Sequence, residues 1–203
     1  MPRTRPVQAR SREMRDRILT ATAQVLAERG YAGLSTNKVA AQAGVSVGSL
    51  YRYFENRTDL MEHLRRRVTE TVVRDLTEAM VAAVRLEALA GVRHVVSTLV
   101  DALVEHGPVV KALLDEVPLG SHANALPAVE TQLGQFARMF VAQHAPKLPA
   151  DEVDARVYLA LGVTLNACLR IALERPDHLD LDRLIDLVTG LLVAGLTLPA
   201  PAG

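Results

Sequence analysis

A glycine set between two short apolar-periodic runs constrains this chain more than any other feature. Residues 36–53 read TNKVAAQAGVSVGSLYRY. Ser35 stands where an N-cap belongs for a helix over about 36–43, and Gly44 can take the positive φ that stops it. Ser46 can cap a second helix over about 47–54, so that Gly44, Val45 and Ser46 make a tight turn. Val39, Ala43, Val45, Leu50 and Phe54 supply apolar contacts for the pair, and Ala40 is small enough for a close crossing. No period-two alternation persists here or elsewhere in the chain, which argues against strands. The spacing predicts a helix-turn-helix, whose second helix must project far enough to enter a major groove.

The flanks extend the same reading. Met14, Ile18, Ala21, Thr22, Val25 and Leu26 recur at three- and four-residue intervals, which predicts an amphipathic helix capped by Ser11 and ended by Gly30. Residues 1–10 hold Pro2, Pro6, Arg3, Arg5 and Arg10 and read as a disordered basic arm. Asn56 can cap a fourth helix that runs past Val68, with Asp59 in its first turn. Further helices are expected near 88–106, 108–117, 124–144, 151–175 and 181–196, with prolines 108, 118, 127, 146, 149 and 176 at or near the breaks and Asp151 as an N-cap. Apolar residues make up 49% of the chain but aromatics only 3%, so the core is built from Ala, Val and Leu, of which Ala and Leu favour helices. The expected fold is all-α: a basic arm over 1–11, a helix-turn-helix domain over 12–66 and a helical body over 67–203.

Charge divides along the same line. The 203-residue chain is neutral overall, but residues 1–67 hold 13 Lys and Arg against 6 Asp and Glu, a net +7, while 68–203 hold 10 against 17, a net −7. Such asymmetry suggests that the basic part meets a polyanion. The outward side of the second short helix suits that task, because Ser46, Val47, Gly48, Ser49, Tyr51, Arg52 and Tyr53 are small or hydrogen-bonding. Gly48 costs a helix roughly 0.5–1 kcal/mol relative to Ala. Close approach by a phosphate or base edge explains its presence, and so does a helix start that tolerates glycine.

Over residues 15–64 the chain resembles the DNA-binding domain of the tetracycline-repressor (TetR) family. The matching residues are Ile18-Leu19, Ala21, Val25-Leu26, Gly30-Tyr31, Ser35-Thr36, Val39-Ala40, Ala43 to Ser46, Gly48, Leu50-Tyr51, Phe54 and Asp59-Leu60. Thr22, Tyr53 and Arg57 depart from the family's usual alanine, histidine and lysine, so base preference does not carry over. The resemblance implies that Thr36 and Lys38 touch phosphates, that Tyr53 and Arg57 clamp the backbone on either side of the groove, and that Val47, Gly48, Ser49, Tyr51 and Arg52, with Ser46 at the helix start, face bases or nearby phosphates. Chemistry is compatible with this: Arg52 can read guanine through two hydrogen bonds and Val47 can meet a thymine methyl. Arg3, Arg5 and Arg10 would add mainly non-specific attraction.

In the body, two helices stand out. Residues 151–175 carry Val153, Val157, Leu161, Leu165, Cys168, Leu169, Ala172 and Leu173, and residues 181–196 carry Leu184, Leu187, Val188, Leu191, Leu192 and Ala194. Helices apolar over so much of their circumference must be buried on more than one side. Together with the resemblance, this predicts a homodimer through 151–175 and 181–196, reading a palindromic double-stranded operator. A small apolar effector is expected, with Met80, His94, Phe136, Met139, Phe140, Tyr158 and Asn166 as lining candidates and Arg93 beside them. Repression is the family's commonest mode and is adopted on that ground. The alternative is a constitutive or architectural DNA-binding protein without a sensor. The six histidines show no metal-ligand spacing, and no nucleophile elbow, phosphate loop or dinucleotide fingerprint is present, so neither an enzyme nor a cofactor is expected. Cys168 is the single cysteine. No signal-like apolar run follows the N-terminal arginines, and Gly190, Gly195, Pro199 and Pro201 interrupt the last charge-free stretch, so a cytoplasmic protein with no membrane partner is expected.

Overall fold

A computed structural model describes residues 5–116 and 127–198, with the backbone alone for residues 5–8 and 115–116. The described elements are α-helices: α1 (Arg5–Arg29), α2 (Thr36–Ala43), α3 (Val47–Tyr51), α4 (Arg57–Ala83), α5 (Ala88–Glu105), α6 (Gly107–Glu116), α7 (Pro127–His144), α8 (Ala150–Glu174) and α9 (Leu181–Thr197). The protein is all-α, as its periodicity predicts. Two compact units divide the chain.

Of the described residues, the first unit joins 5–68 to Pro108–Glu116. Its core packs the stripes of the first four helices: Ile18, Val39, Leu50, Leu60 and Leu64 are fully buried, and Val25, Leu26, Ala40 and Phe54 nearly so. Thr22, the departure on α1, is also fully buried, and its hydroxyl donates to Ile18 O at 2.8 Å, so the extra oxygen is satisfied within its own helix. Gly30, at φ +63°, ends α1 and donates to Leu26 O at 2.9 Å.

The start of α1 differs from the expectation. The helix begins at Arg5, so residues 5–11 are helical rather than a free arm and Ser11 lies inside the helix. Arg, Gln and Ala all favour helix, and Pro6 sits in the first turn, where its missing N–H has no partner to lose. Arg3 lies outside the described residues.

The second unit comprises Thr69–Gly107 together with α7, α8 and α9. Helix α5 packs on α8 and α9, these two pack on each other, and α7 lies on α8. Val92, Val95, Val96, Leu99 and Leu103 of α5 face this interior, with Cys168 of α8 and Ile185 and Leu192 of α9. At α5's start Gly91 is buried, and a Cβ there would lie 2.9 Å from Ala83 O, so glycine lets α5 fold back against the end of α4. Two boundaries moved. Helix α8 starts at Ala150 with Pro149 as its cap residue, leaving Asp151 in the first turn, where its charge suits the helix dipole. Segment 108–116 groups with the first unit although the sequence reading assigned it to the body, because apolar residues mark burial without saying in which unit. The predicted helix start at 124–126 lies outside the described residues.

Candidate nucleic-acid interface and body cavities

Local hydrogen bonds build the interface. Ser35 is extended and accepts from Lys38 N, while Gly44, at φ +63°, closes α2 in the left-handed conformation. Two residues later Ser46 accepts from Ser49 N at 3.0 Å and donates to Ser49 Oγ at 2.8 Å, which opens α3. Helix α3 ends at Tyr51, three residues earlier than its spacing suggests, and Tyr53 N and Phe54 N both donate to Leu50 O. Arg52 and Tyr53 therefore lie in the turn after α3 rather than on its side. Buried Leu50 and Phe54 pin this turn from beneath. Asn56 then accepts from Asp59 N at 2.9 Å, and Asp59 reaches back to Glu55 N at 2.9 Å, so α4 begins with reciprocal capping.

What remains outside is one continuous surface. Ser46, Val47, Gly48, Tyr51 and Arg52 are exposed, and Ser49 and Tyr53 half-buried. A Cβ on Gly48 would meet nothing within 4 Å in the free protein. From α2, Thr36 Oγ1 lies 3.2 Å from Tyr51 OH, which orients the phenol of the last α3 residue. Lys38 is exposed, with its ammonium donating to Gly33 O at 2.8 Å.

Arg57, the expected phosphate clamp, is engaged within its own unit in the free protein. Its Nη2 donates to Tyr31 O at 2.8 Å, and its guanidinium carbon lies 3.8 Å from the centroid of the Tyr31 ring. Its cation is turned inward, where a carbonyl accepts from it and an aromatic face lies against its plane. Tyr31 was not singled out from the sequence as a functional residue. Its aromatic character after Gly30 was a signal, but its partner lies 26 positions away, beyond any helical periodicity.

The body brings some expected ligand residues together and separates others. Phe136, Met139 and Phe140 share a cavity of about 20 Å³ with His144, whose ring stacks on Phe140 at 4.3 Å. Phe136 also lines a second cavity of about 30 Å³, walled by Val92, Val96, Leu133, Leu161, Leu192 and their neighbours, with Thr164 its polar side chain. The others lie elsewhere. Met80 is buried but lines neither cavity, and His94 is exposed on α5. Arg93 is bound to Asp182 and Asp186 of α9 at 2.8 and 2.7 Å. Tyr158 is 78% exposed and Asn166 exposed, both on the outward side of α8. An apolar stripe wider than one chain can cover places them there, so their apolar neighbours do not imply an interior position. An open groove of about 370 Å³ lies between the α7–α8 turn and the end of α9, lined by residues 144–149 with Thr197 and Leu198.

The outward side of α8 and α9 is itself apolar. Leu159, Val163, Leu187, Leu191 and Leu198 are exposed, and Gly162, Gly190 and Gly195 have open space where a Cβ would stand. Helix α8 is also long and apolar enough, by length and composition, to cross a membrane. Among the described residues no group of three or more His, Cys, Asp or Glu could hold a metal ion.

A short, capped third helix held from beneath by buried Leu50 and Phe54, with its other side in solvent, is the arrangement of a DNA-binding regulator of the helix-turn-helix class. Residues 18–64 match the family model of bacterial regulatory proteins, tetR family. An uncharacterized HTH-type transcriptional regulator of Mycobacterium tuberculosis is 31% identical over 198 residues, covering 95% of this chain and 99% of that protein. The HTH-type transcriptional repressor KstR of the same species is 26% identical over 183 residues, covering 90% and 81%. Among solved structures, FadR of Bacillus subtilis in complex with stearoyl-CoA superposes with a TM-score of 0.69 at 21% identity, over 88% of this chain and 97% of that one. The chain belongs to the TetR family of bacterial transcriptional regulators and is not an enzyme.

Proposed function

We propose that this regulator is a repressor that binds a palindromic double-stranded operator as a homodimer and releases it on binding a small apolar molecule. The observation that carries the DNA half is the sidedness of α3: Leu50 is fully buried while Val47, Gly48, Tyr51 and Arg52 stand in solvent. Of the expected contacts, Thr36, Lys38, Ser46, Val47, Gly48, Ser49, Tyr51, Arg52 and Tyr53 belong to this surface. One such helix reads too few base pairs for specificity, and two related by a two-fold axis read a palindrome.

The second copy is supplied by α8 and α9. Their outward leucines, beside glycines with nothing near them, form a face suited to close helix approach. The opposite sides of both helices are committed to α5 and α7, so a matching copy of the pair, rather than lipid, completes their burial.

An apolar effector is supported by the lining of the two cavities and by the named ligand of the FadR structure. Small-molecule sites usually measure ~300–1,000 Å³, so the apolar cavities of about 30 and 20 Å³ admit one only if their helices part, whereas the open groove at the end of α9, about 370 Å³, already falls in that range. The small volumes of the two apolar cavities favour the second reading, a constitutive DNA-binding protein, and the open groove favours the first. Each tenfold of release requires about 1.4 kcal/mol of differential affinity between conformations.

One experiment separates these readings. The full-length protein selects duplexes from a random library, and the selected duplex is titrated with the protein while saturated acyl-CoAs of graded chain length are added. A palindromic consensus that is released by one of them bears out the proposal. No selected duplex removes the operator reading, and a selected duplex indifferent to every acyl chain and to other apolar compounds leaves the constitutive one.

A further inference from the structure

The turn between α1 and α2 is held from two directions, and one of them depends on Arg57. On the α1 side, a Cβ on Gly33 would lie 2.5 Å from Arg29 O, so the turn is folded tightly onto the last residue of α1. On the α4 side, Tyr31 O accepts from Leu34 N at 3.1 Å and from Arg57 Nη2 at 2.8 Å, with the guanidinium laid over the Tyr31 ring. Arg57 is the first residue of α4, so this contact ties the start of α4 to the turn that leads into α2. Ser35, the cap of α2, and Gly33 O, the acceptor for Lys38, both lie in that turn. Where the turn sits therefore decides where α2 begins, and α3 follows α2 after a turn whose hydrogen bonds leave little freedom.

The guanidinium is held by these contacts at the expense of its Nε–H. Its Nε is buried with no hydrogen-bond partner among the described residues. A side chain reaching for phosphate would keep that N–H in water. Arginine is suited to this position because its planar cation can donate in its plane while its face lies on a ring, which a lysine ammonium cannot do together.

We propose that Arg57 is a positioning residue for DNA recognition, acting through Tyr31 to set the placement of α2 and α3, and that it does not neutralise a phosphate. The proposal rests on the DNA-binding reading, which the wild-type protein tests first by selecting its own duplex. Affinity for that duplex and for an unrelated duplex of equal length is then measured across a salt series for wild type, Arg57→Lys, Arg57→Gln and Tyr31→Leu, with each variant's fold checked by its helical circular dichroism. Each phosphate contact contributes ~0.9 to the slope of log K against log salt, and a dimer counts it twice.

The expected result is that all three variants lose roughly tenfold or more on the selected duplex and much less on the unrelated one, with the salt slope unchanged. Arg57→Lys is decisive, since it keeps the charge and loses the stacked, in-plane donor. Wild-type affinity in Arg57→Lys, or a slope lower by about two in Arg57→Gln with equal losses on both duplexes, overturns the proposal. Should Tyr31→Leu fail to fold, the two Arg57 variants carry the same decision.

Discussion

Two glycines four residues apart, Gly44 and Gly48, do opposite things. Gly44 occupies the left-handed region at φ +63°, so Gly44→Ala should cost ~1–2 kcal/mol, seen as a lower melting temperature, because an L-residue there is strained even with space around it. Gly48 lies in a helix with a free Cβ position, so Gly48→Ala should hold or raise stability by up to ~1 kcal/mol while weakening operator binding. Unchanged affinity in fluorescence anisotropy would show that nothing approaches Gly48 closely. Cys168 offers a third test. It is fully buried, and burial pushes its thiol up to about 12. In the unfolded chain it ionises near ~8.5, so its contribution is fully present below that pH and is lost as pH rises from there toward 12. Alkylation of the native protein at pH 8 should therefore follow unfolding rather than thiolate chemistry, and labelling as fast as that of a free thiol would contradict this.

At the scale of elements, the long helices separate stability from assembly. Arg93 ties α5 to α9 through Asp182 and Asp186 on the surface, so Arg93→Ala is a minor change, in keeping with the modest worth of exposed ion pairs. Leu191 is 66% exposed on α9 and touches little within its own chain. Leu191→Asp should leave the folded monomer's helicity intact, convert the proposed dimer to a monomer in light scattering at micromolar concentration, and lower operator affinity by roughly tenfold or more through loss of the second reading helix. A variant that remains a dimer would place the interface elsewhere. The caps of α2, α3 and α4 were readable from Ser35, Ser46 and Asn56, because each acts on the backbone within three residues. The start of α1 was not, because prolines and arginines at 2–10 suit a free arm and a helical first turn about equally.

For the whole molecule, the charge split governs behaviour toward DNA. With +7 in residues 1–67 and −7 beyond, attraction to a duplex is concentrated in the N-terminal third of the chain. If each subunit neutralises ~4 phosphates, raising salt from 50 to 200 mM should weaken operator binding by roughly 10³–10⁵. A loss below tenfold in a filter-binding or anisotropy series would show that few phosphates are met. Effector binding, if helices must part to admit the molecule, should be slower than ordinary docking at ~10⁵–10⁷ M⁻¹s⁻¹, which stopped-flow mixing measures.

By itself the chain's order of residues determined the run of helices, the caps of α2, α3 and α4, the glycine stops after α1 and α2 and the helix-turn-helix, since each of these depends on neighbours within one or two turns, whereas the start of α1, the end of α3 and the cap of α8 escaped it. Tertiary structure alone decided which way Arg57 points, because its partner Tyr31 lies in another element. It also decided that Tyr158 and Asn166 face outward while Phe136, Met139 and Phe140 share a wall. An apolar stripe states how much of a helix is to be covered, and only the packing of the other helices determines which part of it they leave bare.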